Sequence, residues 1–335
     1  MRHVNIPLFI PHLGCPNMCV FCNQKIISGT ENFDPGTVRR DIEKALSTVD
    51  TSSCETEIAF FGGSFTGIDR GLMISLLDLA ESYVRDRGVK GIRMSTRPDY
   101  IDDGVIGILS RYTVSAVELG IQSFSDRVLK ACRRGHTAED SENAVLKLRS
   151  AGFRTVGQMM VGLPLSTLED EVFCAEKLCS LGVSGARIYP TVVLKGTELL
   201  DMTEKGEYVP LTEEEAVERS AAVLEVFVSH GVPCIRIGLC DSENLHSGET
   251  YAAGPNHPST GELVYGLLYR RKLEELARGM GPSDEMRVDV RTGDVSMVLG
   301  NRKSNEEYIR NTYGINRLKI SERPDLERFE VVPSK

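Results

Sequence analysis

The feature that most constrains the fold of this chain is a short cysteine-rich stretch near its start. Cys15, Cys19 and Cys22 follow one another in the spacing C-x3-C-x2-C, directly after the apolar run at 4–10. A disulfide framework would leave one of the three thiols unpaired, and a structural zinc site would need a fourth ligand from elsewhere, such as His12. A four-iron cluster can instead take three cysteine ligands and leave one iron open to a small molecule. We therefore expect residues 14–24 to form a metal-binding loop.

Short apolar runs alternate with longer amphipathic segments over the first 240 residues. The pattern predicts six strands, near 4–10, 57–61, 91–95, 114–120, 155–161 and 185–189, with helices between them and a further strand at 233–237. Such alternation favours a parallel sheet covered by helices, either a six-unit partial barrel or an open doubly wound sheet. In both folds the loops at the carboxyl ends of the strands carry the chemistry, and the cysteine loop follows the first strand.

The chain changes in character near residue 240. We predict a core domain at 1–240 and a small α+β extension at 241–335. In the extension the sequence predicts a helix at 263–279, a hairpin of strands 286–290 and 295–299, a helix near 305–313 and short strands near 318–320 and 329–332. In the core, the four residues Ser-Thr-Leu-Glu at 166–169 have the pattern of a capping box at the start of a helix.

The composition narrows the functional classes. A formal net charge of −9 over 335 residues provides no overall basic field to attract nucleic acid. No apolar run is long enough to span a bilayer, and the N-terminus lacks the basic-then-apolar pattern of a signal peptide. Nine cysteines without an export signal fit a reducing compartment, where thiols bind metals or pack in the core. We expect a cytoplasmic protein that does not associate with membranes.

Two further groups of residues stand at the ends of predicted strands. Gly62, Gly63 and Ser64 follow the second strand, where glycine lets a ligand approach the backbone and leaves N–H and C=O groups free to bind it. Taken alone, a turn without a ligand is the more common use of such a motif. Tyr189 and Lys195 come at the end of the sixth strand, where a substrate would lie, although Tyr189 fits a half-buried ring as well.

The cysteine spacing, with a Gly-Gly turn one strand–helix unit later, resembles the radical S-adenosylmethionine (SAM) superfamily. The resemblance implies a partial (β/α)6 TIM-like barrel, a 4Fe-4S cluster on the three cysteines, and SAM bound to the open iron. It also implies that the Gly-Gly turn holds the amino group of SAM's methionine and that Arg134 pairs with its carboxylate. The residues that it assigns to SAM binding are Gly62, Gly63, Ser64, Glu118, Gln122 and Arg134.

Five more motifs narrow the resemblance to one branch of that superfamily. They lie at 95–99 (Ser-Thr-Arg-Pro-Asp), 118–123 (Glu-Leu-Gly-Ile-Gln-Ser), 133–137 (Arg-Arg-Gly-His-Thr), 160–164 (Met-Val-Gly-Leu-Pro) and 188–191 (Ile-Tyr-Pro-Thr). In this order they are similar to the radical SAM core of the catalytic subunit of the Elongator complex, and 254–264 resembles the extension of its bacterial relatives. The resemblance does not include that subunit's acetyltransferase domain.

The resemblance implies an enzyme that cleaves SAM to a 5′-deoxyadenosyl radical, which abstracts hydrogen from a substrate such as an RNA base. Tyr189 and Lys195 are its candidate catalytic residues. The implied partners are SAM, an electron donor such as ferredoxin or flavodoxin, and a tRNA. Two alternatives stay open: a non-catalytic metal-binding module for RNA or protein, and a porphyrin enzyme similar to coproporphyrinogen III dehydrogenase.

Overall fold

The computed structural model describes residues 2–10, 13–15, 19–28, 33–239, 250–280 and 282–334. The strands in these ranges are β1 (Arg2–Ile10), β2 (Cys54–Gly62), β3 (Gly91–Thr96), β4 (Val114–Gln122), β5 (Thr155–Val161), β6 (Gly185–Pro190), β7 (Val193–Leu194), β8 (Cys234–Ile237), β9 (Tyr251–Ala253), β10 (Ser283–Arg291), β11 (Ile315–Arg323) and β12 (Val331–Pro333). The helices are α1 (Gln24–Ser28), α2 (Val38–Leu46), α3 (Arg70–Asp86), α4 (Asp103–Leu109), α5 (Asp126–Ala131), α6 (Ala138–Ser150), α7 (Leu168–Ser180), α8 (Glu198–Glu204), α9 (Glu213–Ser229), α10 (Thr260–Met280), α11 (Val295–Leu299) and α12 (Ser304–Tyr313).

The main sheet is parallel and adds its strands in one direction. β1 to β6 follow one another in chain order, and β8 pairs with β6 as a seventh strand. Because parallel crossovers are right-handed, a sheet that grows in one direction carries its connecting helices on one face and curls, whereas a doubly wound sheet reverses its order at a switch point. The structure therefore confirms the partial barrel and excludes the open doubly wound alternative.

Several of the helices begin where a short polar side chain caps them. The Asp69 carboxylate accepts the N–H of Leu72 at 2.9 Å at the start of α3, and Asp102 does the same for α4. Thr212 and Glu215 form a reciprocal capping box at the start of α9. These contacts satisfy N–H groups that have no partner inside the helix, so the loops after the strands end at defined residues.

The predicted capping box at 166–169 is wrong by one residue. Thr167, not Ser166, is the N-cap of α7, and Asp170, not Glu169, completes the box. The Ser166 hydroxyl instead donates to the buried carboxylate of Glu171 at 3.0 Å. The sequence offers two overlapping boxes, and the one that forms leaves Ser166 free to bind Glu171.

The predicted hairpin at 286–299 is also wrong. β10 pairs with β11 in parallel and with β12 in antiparallel orientation, and residues 295–299 form α11. An apolar run of five residues is too short for its periodicity to separate strand from helix. Tertiary contacts decide instead: buried Asp294 accepts the Tyr269 hydroxyl of α10 at 2.5 Å, and Val298 of α11 is fully buried.

The C-terminal elements pack directly against the barrel. α10 lies against α9, and buried side chains of both helices belong to one continuous hydrophobic cluster. The predicted boundary between 240 and 241 lies outside the described residues, so the division into two domains stays a prediction. Among the described helices, none has both the length and the apolar character that crossing a membrane requires.

Candidate functional site

The cysteine loop lies at the carboxyl edge of the parallel sheet, directly after β1. Cys19 is buried, and Cys15 and Cys22 are half-buried. The Val20 N–H donates to the carbonyl of Cys132 at 3.2 Å, which attaches the loop to the end of α5. Residues 16–18 and the alternative metal ligand His12 lie outside the described residues.

A cavity of about 90 Å³ opens between this loop and the ends of β2 to β5. All three cysteines line it, together with five of the six residues predicted to bind SAM: Gly62, Gly63, Ser64, Gln122 and Arg134. Its lining also includes Phe21, Gln24, Ser95, Thr96, Arg97, Gly120 and Gln158. A second cavity of about 940 Å³ shares Cys19 and Cys22, and no other described residue, with the first, so this pair of cysteines lies between two open volumes.

The glycine turn after β2 crosses the cysteine loop backbone to backbone. A Cβ atom on Gly63 would lie 2.2 Å from the Leu13 carbonyl oxygen, and one on Gly14 would lie 2.2 Å from the carbonyl oxygen of Ser64. Gly62 also has a φ of +107°, a backbone angle that residues other than glycine rarely adopt. Glycine at these positions therefore allows the two loops to approach each other.

Each cysteine sulfur has a side-chain neighbour that can donate a hydrogen bond. Ser64 Oγ lies 3.6 Å from Cys15 Sγ, Gln24 Nε2 lies 3.6 Å from Cys22 Sγ, and an Nη atom of Arg134 lies 3.4 Å from Cys19 Sγ. Burial, followed by the neighbouring Cys19 and Cys15 thiols, raises the pKa of Cys22 to about 12. A free Cys22 thiol thus holds its proton at neutral pH.

Two arginines face the cavity with different partners. Arg134 uses Nη1 for Cys19 and Nη2 for the Gly120 carbonyl, and its buried Nε has no partner among the described residues. Arg97, only 2% exposed, is held by Asp99 through two bonds of 2.9 and 2.8 Å, which leaves its buried Nη1 without a partner in the described chain. Burial acts to raise the pKa of Asp99, but the bonds from Arg97 outweigh it and hold that pKa below its ordinary value. Each guanidinium group therefore has a nitrogen whose N–H bonds have no partner in the described chain and can bind a ligand.

Glu118, the sixth residue predicted to bind SAM, is absent from the described cavity lining. It is fully buried, and its carboxylate accepts Arg93 at 3.0 Å, Arg187 at 2.9 Å and the side-chain amide of Gln158 at 2.8 Å. Since Gln158 does line the cavity, the structure places Glu118 one side chain behind it. The same ion network continues from Arg93 to Glu57 at 2.9 Å.

The two candidate catalytic residues also lie apart from this lining. Tyr189 is half-buried on β6, and Lys195 is exposed after β7. Neither is among the described residues that line the 90 Å³ cavity. Their catalytic role stays a prediction, as do the SAM contacts assigned to the lining residues.

Sequence reasoning missed Gln24 and Arg97 as site residues. Arg97 follows β3 at the same sheet edge as the other lining residues, so its position after a predicted strand was a usable signal. Gln24 comes two residues after the last cysteine, and no spacing rule marks it.

The residues present suit a 4Fe-4S cluster with SAM. Thiolates are the ligands of such clusters, and three of them line one cavity. In the described part of the chain, N–H groups of Arg97 and Arg134 lack a partner and suit a carboxylate, and the buried Oε1 of Gln122 also lacks one and suits an ammonium group. Within the described ranges no three His, Cys, Asp or Glu side chains are close enough to hold a single metal ion.

Family models match most of the chain. The model described as Radical SAM superfamily matches residues 9–176, which is half of the sequence, and the model described as Radical_SAM C-terminal domain matches residues 183–270. The first match spans the cysteine loop and the Gly-Gly turn, and the second spans β6 and part of α10.

Individual proteins show similarity over part of their length. The tRNA uridine(34) acetyltransferase of Methanocaldococcus jannaschii is 29% identical over 207 residues, which are 56% of this chain and 38% of that protein. Elongator complex protein 3 of Schizosaccharomyces pombe is 24% identical over 254 residues, 64% of this chain and 47% of that protein. The solved structure of Methanocaldococcus infernus Elp3 without its residues 1–46 has a TM-score of 0.63 at 22% identity, over 82% of this chain and 64% of that one. The structural likeness shows the fold, and the chain spans less than half the length of these two curated relatives.

Proposed function

Because this chain belongs to the radical SAM superfamily, whose enzymes use SAM with a 4Fe-4S cluster, we propose that Cys15, Cys19 and Cys22 bind such a cluster and that SAM binds beside it. The observation that carries the proposal is the shared cavity, which brings the three thiols, the Gly-Gly turn and three polar atoms without a partner among the described residues to one sheet edge. When bound, the cluster supplies the electron that cleaves SAM to methionine and a 5′-deoxyadenosyl radical.

The residues of the chain would bind and orient SAM. Gly63 lines the cavity and has no side chain of its own, so its backbone suits the amino group of the methionine part. Arg97 Nη1 and Arg134 Nε supply donors for the carboxylate, and Gln122 Oε1 supplies an acceptor. Because all three side chains are mostly or fully buried, these bonds would form away from bulk water, where they are stronger.

We further propose that the substrate is a base in RNA, with uridine of tRNA as the leading candidate. The support is the name of the archaeal relative, a tRNA uridine(34) acetyltransferase, and the similarity to an Elongator protein. Since the chain spans 38% of that acetyltransferase, the proposal for this chain includes only the radical step. Tyr189 and Lys195 are the proposed contacts to the base, and a ferredoxin- or flavodoxin-type protein is the proposed electron donor.

The proposal is tested by anaerobic reconstitution with iron and sulfide, then incubation with SAM and dithionite. We expect about four iron and four sulfide per chain and the release of 5′-deoxyadenosine. Alanine at any of the three cysteines should abolish the cluster and the product. Cys54→Ala is the matched control, because that thiol lies at the opposite end of β2. One zinc per chain, or no 5′-deoxyadenosine from protein with an intact cluster and bound SAM, would contradict the proposal.

The substrate is tested separately with tRNA transcribed from deuterated UTP. If a uridine hydrogen is abstracted, tRNA should stimulate SAM cleavage, and deuterium should appear in 5′-deoxyadenosine by mass spectrometry. A protein that cleaves SAM but shows neither effect acts on another substrate, and the radical SAM assignment then stands without the RNA base.

A further inference from the structure

The three cysteine sulfurs share an arrangement that the cysteine motif does not explain. Every sulfur has one side-chain donor within 3.4 to 3.6 Å, and each donor comes from outside residues 15–22. Ser64 follows β2, Gln24 opens α1, and Arg134 lies in the loop after α5. Each sulfur therefore has its own donor, and the three donors come from three separate parts of the fold.

We propose that Ser64, Gln24 and Arg134 set the reduction potential of the cluster by donating one hydrogen bond to each cysteine sulfur. The inference rests on the proposed function, because it requires the cluster. Reduction adds one electron and makes the cluster and its thiolates more negative. Donors and positive charges near the sulfurs therefore stabilise the reduced state more than the oxidised state, and hydrogen bonds to sulfur are among the factors that set such potentials.

Arg134 is the strongest of the three donors. It is only 7% exposed, its contact to sulfur is the shortest, and it carries a full charge. Charged hydrogen bonds are roughly twice as strong as neutral ones. A second bond to the Gly120 carbonyl holds its orientation, and a Cβ atom on Gly120 would lie 2.7 Å from the guanidinium. The glycine thus makes room for the arginine beside Cys19.

Ser64 and Gln24 are neutral donors with milder roles. Ser64 is 1% exposed, and its backbone N–H binds the Leu13 carbonyl at 3.0 Å, so its hydroxyl is placed by the contact between the two loops. Gln24 is half-buried and reaches back over two residues to Cys22. Losing either donor should leave the thiol ligands in place and change the electrostatics around the sulfur.

The test is a redox titration of the reconstituted protein without SAM, followed by electron paramagnetic resonance of the reduced cluster. The variants are Gln24→Leu, Ser64→Ala and Arg134→Gln. Each should shift the one-electron reduction equilibrium toward the oxidised state several-fold, with Arg134→Gln largest. A tenfold shift lowers the midpoint potential by about 59 mV. Ser95→Ala is the matched control, because Ser95 lines the same cavity and no contact to a sulfur is seen for it in the described chain.

The results separate this inference from the proposed function. If Arg134→Gln fails to hold a cluster, Gln24→Leu and Ser64→Ala still decide the outcome. Unchanged potentials in both of these variants, or an equal shift in Ser95→Ala, overturn the inference while the cluster assignment stands. If the unaltered protein assembles no cluster, the proposed function and this inference fail together.

Discussion

Replacing Glu118 by alanine is expected to lower the free energy of unfolding by about 3–5 kcal/mol. Glu118 is 0% exposed, and its carboxylate lies 3.0 Å from Arg93, 2.9 Å from Nη2 of Arg187 and 2.7 Å from Nε of Arg187. Arg93 keeps a second carboxylate, Glu57 at 2.9 Å, whereas Glu118 is the one carboxylate partner seen for Arg187 within the described ranges. The variant therefore leaves a buried guanidinium without a counter-charge, which is the costly way to break a buried ion pair.

The assay is urea denaturation followed by circular dichroism, with free energies from linear extrapolation. Glu225→Ala is the matched control: Glu225 binds Arg271 at 3.1 Å, its side chain is 54% exposed, and Arg271 keeps Glu218 as a second partner. An exposed pair of this kind should lose only about 0–1 kcal/mol. If both variants lose the same small free energy of unfolding, then water or rearrangement compensates the charge of Arg187. The expected cost of leaving that guanidinium without a counter-charge is then refuted.

Three further predictions concern pH, close backbone contacts and capping. Burial lowers the pKa of His136 to about 3, whereas an unfolded imidazole titrates near 6.5, so only the unfolded chain gains a proton between these values. The free energy of unfolding should therefore fall as the pH drops below 6.5, by up to about 1.4 kcal/mol per pH unit. In His136→Gln the midpoint of urea denaturation should depend less on pH between 6.5 and 5. Gly63→Ala should abolish SAM binding in equilibrium dialysis because its Cβ would meet the Leu13 carbonyl at 2.2 Å, whereas Gly107→Ala, with open space around it in α4, should be neutral or stabilising by up to about 1 kcal/mol. Thr167→Ala should cost about 1 kcal/mol in urea denaturation by removing the cap of α7, and Thr167→Ser should restore most of it.

Much of the barrel could be predicted because its signals are local. Each strand from β1 to β6 spans six to nine residues and contains an apolar segment, and several of the helices between them begin at capping side chains. The errors fall where two local solutions compete. Ser166 and Thr167 both fit a cap, and residues 295–299 fit both a strand and a helix. Contacts to Glu171 and burial against α10 decided these cases.

The structure brings the three predicted cysteines and the glycine pair to one cavity, whereas the sequence predicted only some of the side chains around them. The cysteine and glycine positions can be predicted from the sequence, because few residue types can bind a cluster and few allow two backbones to approach closely. Glu118 was assigned to SAM, yet its charge is engaged by arginines from β3 and β6. Arg97 was not assigned, although it lines the cavity and its buried Nη1 has no partner in the described chain. A charged side chain's role depends on which partner neutralises it, and that partner can lie on another strand.

By itself, the sequence determined which residue types are available at the candidate site. Three cysteines in one loop and a glycine pair after the next strand specify ligands and backbone access through spacing alone. Only the tertiary structure decided what surrounds them. Arg134 is 115 residues from Cys19, and Ser64 is 49 residues from Cys15, yet both reach a sulfur. The physical reason is that a curled parallel sheet gathers the carboxyl ends of distant strands at one edge, and no local pattern records which side chains then meet.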